Sequence, residues 1–238
     1  MMGKTKKAQA SEIRRSPSEP YNPLARINIA RSIEAELLSR EVLPLSKTDQ
    51  IEGAGIYAIY YSGLEPIYAP ARNDIGSFVK PIYVGKAIPK GGRKGGLTPA
   101  KGISRALAER LRQHAASVNE VINLDLSDFW VRYLVVDDIW IPLGENILIE
   151  TFKPAWNRAV DGFGNKDPGR RRKTQFRSPW DVLHPGRLFA EKLAESPVTA
   201  TFMETRVSDY FANRKMAKLP RKVLEQQAEE EALEQAET

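Results

Sequence analysis

A chain of 238 residues that is 42% hydrophobic and 28% charged can bury a sizeable core and has the balance of a water-soluble globular protein. It contains no cysteine, which excludes disulfides and cysteine-based zinc modules and is compatible with the cytosol, so a cytoplasmic location is expected. The formal net charge of +6 is unevenly spread, because residues 223–238 hold six glutamates and no basic residue, leaving +12 on residues 1–222.

A body this basic suits a polyanion, nucleic acid being the simplest, although a merely soluble surface would also account for the charge. The basic, polar leader over residues 1–21 lacks the apolar core of a signal peptide and is expected to be disordered. No run approaches the ~18 apolar residues of a membrane span, so no membrane partner is expected.

Residues 22–43 read as a helix, with Leu24, Ile27, Ala30, Ile33, Leu37 and Leu38 recurring at spacings of three and four behind an Asn22 cap. Two strand-like runs follow, GIYAIYY at 55–61 and PIYVGKA at 81–87. The connection over 62–80 is too long for a tight hairpin and rich in turn residues, which suggests a functional insertion or a flap.

Residues 86–102 hold five basic residues, five glycines and no acid. Such a segment cannot pack a core. Its backbone can approach phosphate closely while Lys86, Lys90, Arg93, Lys94 and Lys101 neutralise charge, although a flexible linker would also be glycine-rich. A helix over 103–118, a β-branched and aromatic strand over 128–138 and a helix over 141–157, broken at Pro154, come next. A loop then carries five basic residues within 170–177, including Arg170, Arg171, Arg172 and Lys173, a second candidate contact to DNA. Helical pieces near 181–195 and 204–216 precede the acidic tail helix.

Helical geometry sorts the polar residues of 103–118. At 100° per residue Ile103, Leu107, Leu111 and Val118 form one stripe, with His114 inside it and Arg110 on its border. Either residue alone is explained by a snorkelling arginine or a hydrogen-bonded core histidine. Together they need partners or a cleft. On the helix 143–152 the apolar face centres on Ile147, Leu148 and Phe152; Glu145 lies at its edge and Glu150 nearly opposite. One sheltered carboxylate suits a single magnesium ion that keeps most of its waters, while a first-turn glutamate favoured by the helix dipole is the plain alternative.

These residues carry a family resemblance. GIY at 55–57 and YVG at 83–85 resemble the two signature tripeptides of the GIY-YIG nuclease superfamily. Downstream, Arg110 and His114 resemble its R-x-x-x-H helix, and ENILIETFKPAWN is similar to its metal-binding segment, which selects Glu145 and Asn157. The longer strand connection, the glycine-rich basic loop and the GFGN-DPG-RRRK stretch resemble the type II restriction branch, and within it the enzymes that cut CCGCGG-type palindromes.

The resemblance implies an α+β fold, a small antiparallel three-stranded sheet flanked by helices, with helical N- and C-terminal additions. The implied organisation is a basic leader (1–21), a helical segment (22–50), a nuclease domain (51–195) and a helical extension with the acidic tail (196–238). It implies hydrolysis of a DNA phosphodiester. Glu145 would hold Mg²⁺ or another divalent cation, Arg110 the scissile phosphate, and Tyr57 would act as or relay to the general base through His114. Tyr83 would contact phosphate or water and Asn157 would brace the site. Double-stranded DNA is the expected partner, and a palindromic target calls for a homodimer. A structure-specific repair nickase of the same superfamily and a non-catalytic DNA-binding protein remain as alternatives.

Overall fold

Every residue of Gly55–Tyr61 (β2) is buried, which places this strand inside a sheet with both faces covered. The computed structural model of the protein describes residues 22–89, 104–165, 167 and 175–237. In it β2 lies between Pro81–Ala87 (β3) and Phe129–Val135 (β4), antiparallel to both. Leu43–Pro44 (β1) pairs with the outer side of β4, so the order is β1-β4-β2-β3 and the sheet has four strands where three were expected. Beyond this extra strand the Leu45 N–H still donates to the Phe129 carbonyl at 2.9 Å, so the Pro44 nitrogen faces the outer edge of the sheet, where proline is tolerated.

Side chains alternate across β2. Tyr57, Ile59 and Tyr61 point into one core with Leu107, Leu111 and Val118 of Ala106–Glu120 (α2). Trp156 of Ala155–Arg158 (α4), Trp180 of Pro179–Leu183 (α5) and Met203 and Val207 of Ala200–Phe211 (α6) complete that layer. Ile56, Ala58 and Tyr60 face a second core with Leu37 of Arg26–Ser39 (α1) and Ile141 and Leu148 of Ile141–Phe152 (α3). The sheet is therefore filled from both sides, as an α+β fold with flanking helices requires.

Several expectations shift in detail. The first helix begins at Arg26, not Asn22; Asn22 accepts the Leu24 amide in a turn at 3.0 Å, and Leu24 and Ile27 are exposed rather than core. The 62–80 connection is anchored along its length. A 3-10 turn over Pro66–Ala71 buries Tyr68, and the Asn73 side-chain amide bonds the carbonyls of Tyr61, Ala71 and Lys80 and the amides of Val79 and Lys80. Its outer side, including Leu64, Ile75 and Val79, faces water.

The helix expected over 181–195 is split. Ser178 caps α5 by accepting the Asp181 amide, and Pro185 and Gly186 (φ +130°) separate it from a 3-10 turn at Ala190–Lys192. The acidic tail is helical as Arg221–Glu237 (α7). It is attached: Val223 is buried, the Gln226 amide bonds both the N–H and the C=O of Phe176 at 3.0 Å, and Glu230 accepts from Asn165 Nδ2 at 2.7 Å. Among the described residues no helix is long and apolar enough to cross a membrane.

Candidate active site

The two signature tripeptides meet across the β2–β3 ladder, where Tyr57 stands opposite Gly85. A Cβ on Gly85 would lie 2.5 Å from the Tyr57 hydroxyl oxygen and 2.9 Å from the Tyr83 ring, so glycine here is what lets the phenols lie over the strand. On the first tripeptide, a Cβ on Gly55 would collide with the Leu134 carbonyl at 2.0 Å. Both glycines are thus steric requirements of the packed sheet.

α2 brings His114 against this pair. The Tyr57 hydroxyl lies 2.6 Å from His114 Nε2, both groups fully buried. Tyr83 stands edge-on to His114 at 5.2 Å and 6.3 Å from Tyr57 between ring centroids. Burial is the main force holding His114 well below the usual imidazole range, and the charges of Arg110 and Arg187 add to it. It is a neutral imidazole at neutral pH. Arg110, half-buried one turn earlier, bonds Gln113 Oε1 at 3.2 Å. Its Nη2 and the Tyr83 hydroxyl both border Gly164, at 2.9 and 3.1 Å from where a Cβ would stand.

Glu145 reaches β3 from the other core. α3 packs there, with Gly144 against Ile56, and Glu145 takes an ion pair from Lys86 Nζ at 2.6 Å. Its side chain is 15% exposed, against 57% for Glu150, which pairs with Arg26 at the surface. Lys86 is therefore held on Glu145 rather than extended toward solvent. Asn157 sits between the two groups, on the edge of β3: Val84 N–H donates to its Oδ1 and its Nδ2 donates to Val84 C=O, both at 2.8 Å. The side-chain amide thus stands in for a neighbouring strand. Asn157→Ala is expected to cost about 2–3 kcal/mol in urea unfolding, since two partly buried backbone groups lose their partners; an unchanged midpoint would contradict this brace.

Four of the six expected catalytic positions, Tyr57, Tyr83, Arg110 and His114, share one face of β3, while Glu145 comes round from the other with Asn157 at the rim. Lys90, Arg93, Lys94, Lys101, Arg170, Arg171, Arg172 and Lys173 lie outside the described residues. Among the described residues no cluster of three or more acidic, histidine or cysteine side chains is arranged to hold a metal. Glu145 is the carboxylate at the site, and a single carboxylate supplemented by waters and substrate phosphate suits a hard divalent ion such as magnesium.

A second buried tyrosine–histidine pair is invisible in the sequence. The Tyr68 hydroxyl is 2.7 Å from His184 Nε2, and His184 Nδ1 is 3.0 Å from Asn123 Oδ1. Asn123 Nδ2 donates to the Leu183 carbonyl, which fixes its orientation, so His184 carries its proton on Nδ1 and accepts from Tyr68. Burial, with Arg187 nearby, pushes His184 down to about 3.

Both histidines of the chain are thus neutral when folded. An unfolded chain protonates them below ~6.5, so their contribution to stability is complete above that pH and is lost as pH falls below it, for His184 down to about 3. Each histidine gives a slope of up to ~1.4 kcal/mol per pH unit, while Glu230, pushed up to about 7 by burial, works the other way because its stabilisation is lost as pH rises. In a Glu230→Gln background, urea unfolding at about pH 5.5 should therefore show lower stability than at about pH 7.5, and equal stability there would refute the buried neutral pairs.

Sequence reasoning also passed over Phe163, stacked on His114 at 4.5 Å and 18°, and Arg187, which lies behind it. Both arrive from loops distant in sequence, and no local pattern marks them.

No curated protein matches the chain. The family model described as the Eco29kI GIY-YIG domain matches residues 49–211, more than half of its length. That span contains β2, β3, α2, α3, the tyrosine–histidine pair and the Glu145 and Asn157 contacts with β3. The chain belongs to the GIY-YIG nucleases, in their restriction-endonuclease branch.

Proposed function

We propose that this nuclease is a site-specific, type II restriction endonuclease that cuts both strands of DNA, working as a homodimer with one divalent ion, magnesium, at each site. The observation that carries the reading is the 2.6 Å contact between Tyr57 and a neutral His114, beside an arginine and a second tyrosine. A neutral imidazole with its proton on Nδ1 can accept the phenol's proton.

In the reaction the water oxygen bonds to phosphorus and the P–O3′ bond breaks. The proton leaving water goes to the Tyr57 oxygen as Tyr57 passes its own to His114 Nε2. Charging His114 beside Arg110 is costly in the resting site, and the negative phosphate arriving at Arg110 offsets that cost. Arg110 grips the phosphate through its guanidinium fork, and Tyr83 orients phosphate or water. Glu145 would hold the ion, which when bound supplies positive charge for the departing 3′-oxygen. Lys86 keeps that carboxylate in place, and Asn157 fixes the rim of β3 between the two groups. Sequence readout falls to the basic segments at 86–102 and 166–177, since arginine pairs with the major-groove edge of guanine.

The test is a digest of supercoiled and long linear DNA with magnesium or with chelator. Discrete, magnesium-dependent fragments with defined ends are the expected result. Nicked circles without linear product would favour the repair-type nickase, and intact DNA across varied sequences would favour a binding protein.

A further inference from the structure

Arg187 is the largest charged side chain in the interior, 1% exposed, and it is paired with a 3%-exposed Asp181 at 2.6 Å. A buried ion pair is a poor source of stability, because desolvation consumes most of the attraction. What distinguishes this one is where its remaining donors go. Nη2 bonds the Gly162 carbonyl at 2.9 Å, and Nη1 bonds those of Phe163 at 3.2 Å and Asn165 at 3.3 Å. The guanidinium lies 4.6 Å from the Trp180 ring and 4.8 Å from that of Phe189, and Asp181 is fixed in turn by Ser178 Oγ at 2.7 Å. The segment it grips is already constrained. Gly162 has φ +110°, and a Cβ there would lie 2.1 Å from Ser178 Oγ. The other end is tied to α7 through Asn165 and Glu230.

That segment borders the reacting groups. Phe163 covers one face of His114, and Gly164 stands against Arg110 Nη2 and the Tyr83 hydroxyl. We propose that Gly162–Asn165 forms a wall of the phosphate site and that Arg187 is its positioning residue, holding the carbonyls of Gly162, Phe163 and Asn165 so that His114, Arg110 and Tyr83 keep their geometry. The proposal rests on the nuclease reading above for what the wall serves, but not for how it is held. Arg187 does not touch substrate; it acts through the backbone it grips. Lysine cannot replace it, because one ammonium cannot span Asp181 and three carbonyls as a planar fork does.

Two variants and two readouts test it. Arg187→Lys should lower cleavage per bound complex by about 10²-fold while the Kd for DNA, measured with chelator, stays within about threefold. Gly164→Ala places its methyl 2.9 Å from Arg110 Nη2 and 3.1 Å from the Tyr83 hydroxyl, so the arginine's end must shift while the backbone, which is not in the left-handed region there, can stay. It should keep the melting temperature and still lose at least about tenfold in rate. The second readout does not need cleavage. With two histidines in the chain, the imidazole protons of His114 are assignable by NMR, and in the wild type they carry the ring-current shift of Phe163. Arg187→Lys should collapse that shift.

A retained shift, with cleavage per complex near wild type, would overturn the proposal, as would a Gly164→Ala variant that cuts at the wild-type rate. Should Arg187→Lys fail to fold, Gly164→Ala still decides whether Gly162–Asn165 walls the site, and the His114 shift in Arg187→Gln decides whether Arg187 places it. A wild type that cuts no DNA would sink the nuclease reading alone, and the His114 shift would still decide whether Arg187 places the wall.

Discussion

Glu145→Gln should stop DNA cleavage, lowering the single-turnover rate by about 10³-fold or more, while leaving the protein folded and bound to DNA. The carboxylate is sheltered but not sealed, and Lys86 beside it keeps access to water, with 28% of its side chain exposed. Losing the pair therefore costs little, about 1 kcal/mol in urea unfolding, because the ammonium can turn outward. The chemical loss is much larger, since the amide is a poor ligand for a hard ion, and without the ion the departing oxygen would lack its positive charge. Lys86→Met separates the explanations. If Glu145 served only as a partner for Lys86, the two variants would lose stability equally and cut alike. Cleavage by Glu145→Gln within about tenfold of wild type would retire its role as ion ligand.

The second large effect belongs to one oxygen atom. Tyr57→Phe keeps a fully buried ring in its place between Tyr83 and His114 and removes only the hydroxyl that faces Nε2. The unpaired imidazole nitrogen should cost about 1–2 kcal/mol of stability, well short of unfolding. The cleavage rate should fall by about 10²–10⁴-fold, with DNA affinity changed less than about threefold. A phenylalanine variant that cuts within about threefold of wild type would remove Tyr57 from the proton path.

How much of this was legible beforehand depends on how local each signal is. The strands announce themselves through apolar runs, and the two tyrosines fall where the ladder brings their strands together. Helical phase alone separates His114 from Arg112, and Glu145 from Glu150, because burial on a helix follows its angular period. The limits are physical too. A two-residue strand such as Leu43–Pro44 has no periodicity, and its pairing with β4 is a tertiary event. Leu24 and Ile27 have the right spacing for a buried face, but the chain there runs past the end of the core. Arg187 reads as a surface charge in a local window, since the carbonyls that take its remaining donors lie 22 to 25 positions away at 162–165, although Asp181, Trp180 and Phe189 are near it in the chain. Tyr68 and His184 are likewise joined across 116 positions. Long-range contacts of this kind are what a sequence window cannot hold.

The brace on Val84 has a consequence for solubility. β3 is the last strand of its sheet, and an open edge offers amides and carbonyls to any passing strand from another molecule. At Val84 both outward groups are already taken by Asn157, so a foreign strand meets a side-chain amide in the place where it would start to pair. The same contact that steadies the rim of the site thus blunts the sheet against self-association. Removing it should leave a protein that is prone to aggregate at high concentration before it is fully unfolded.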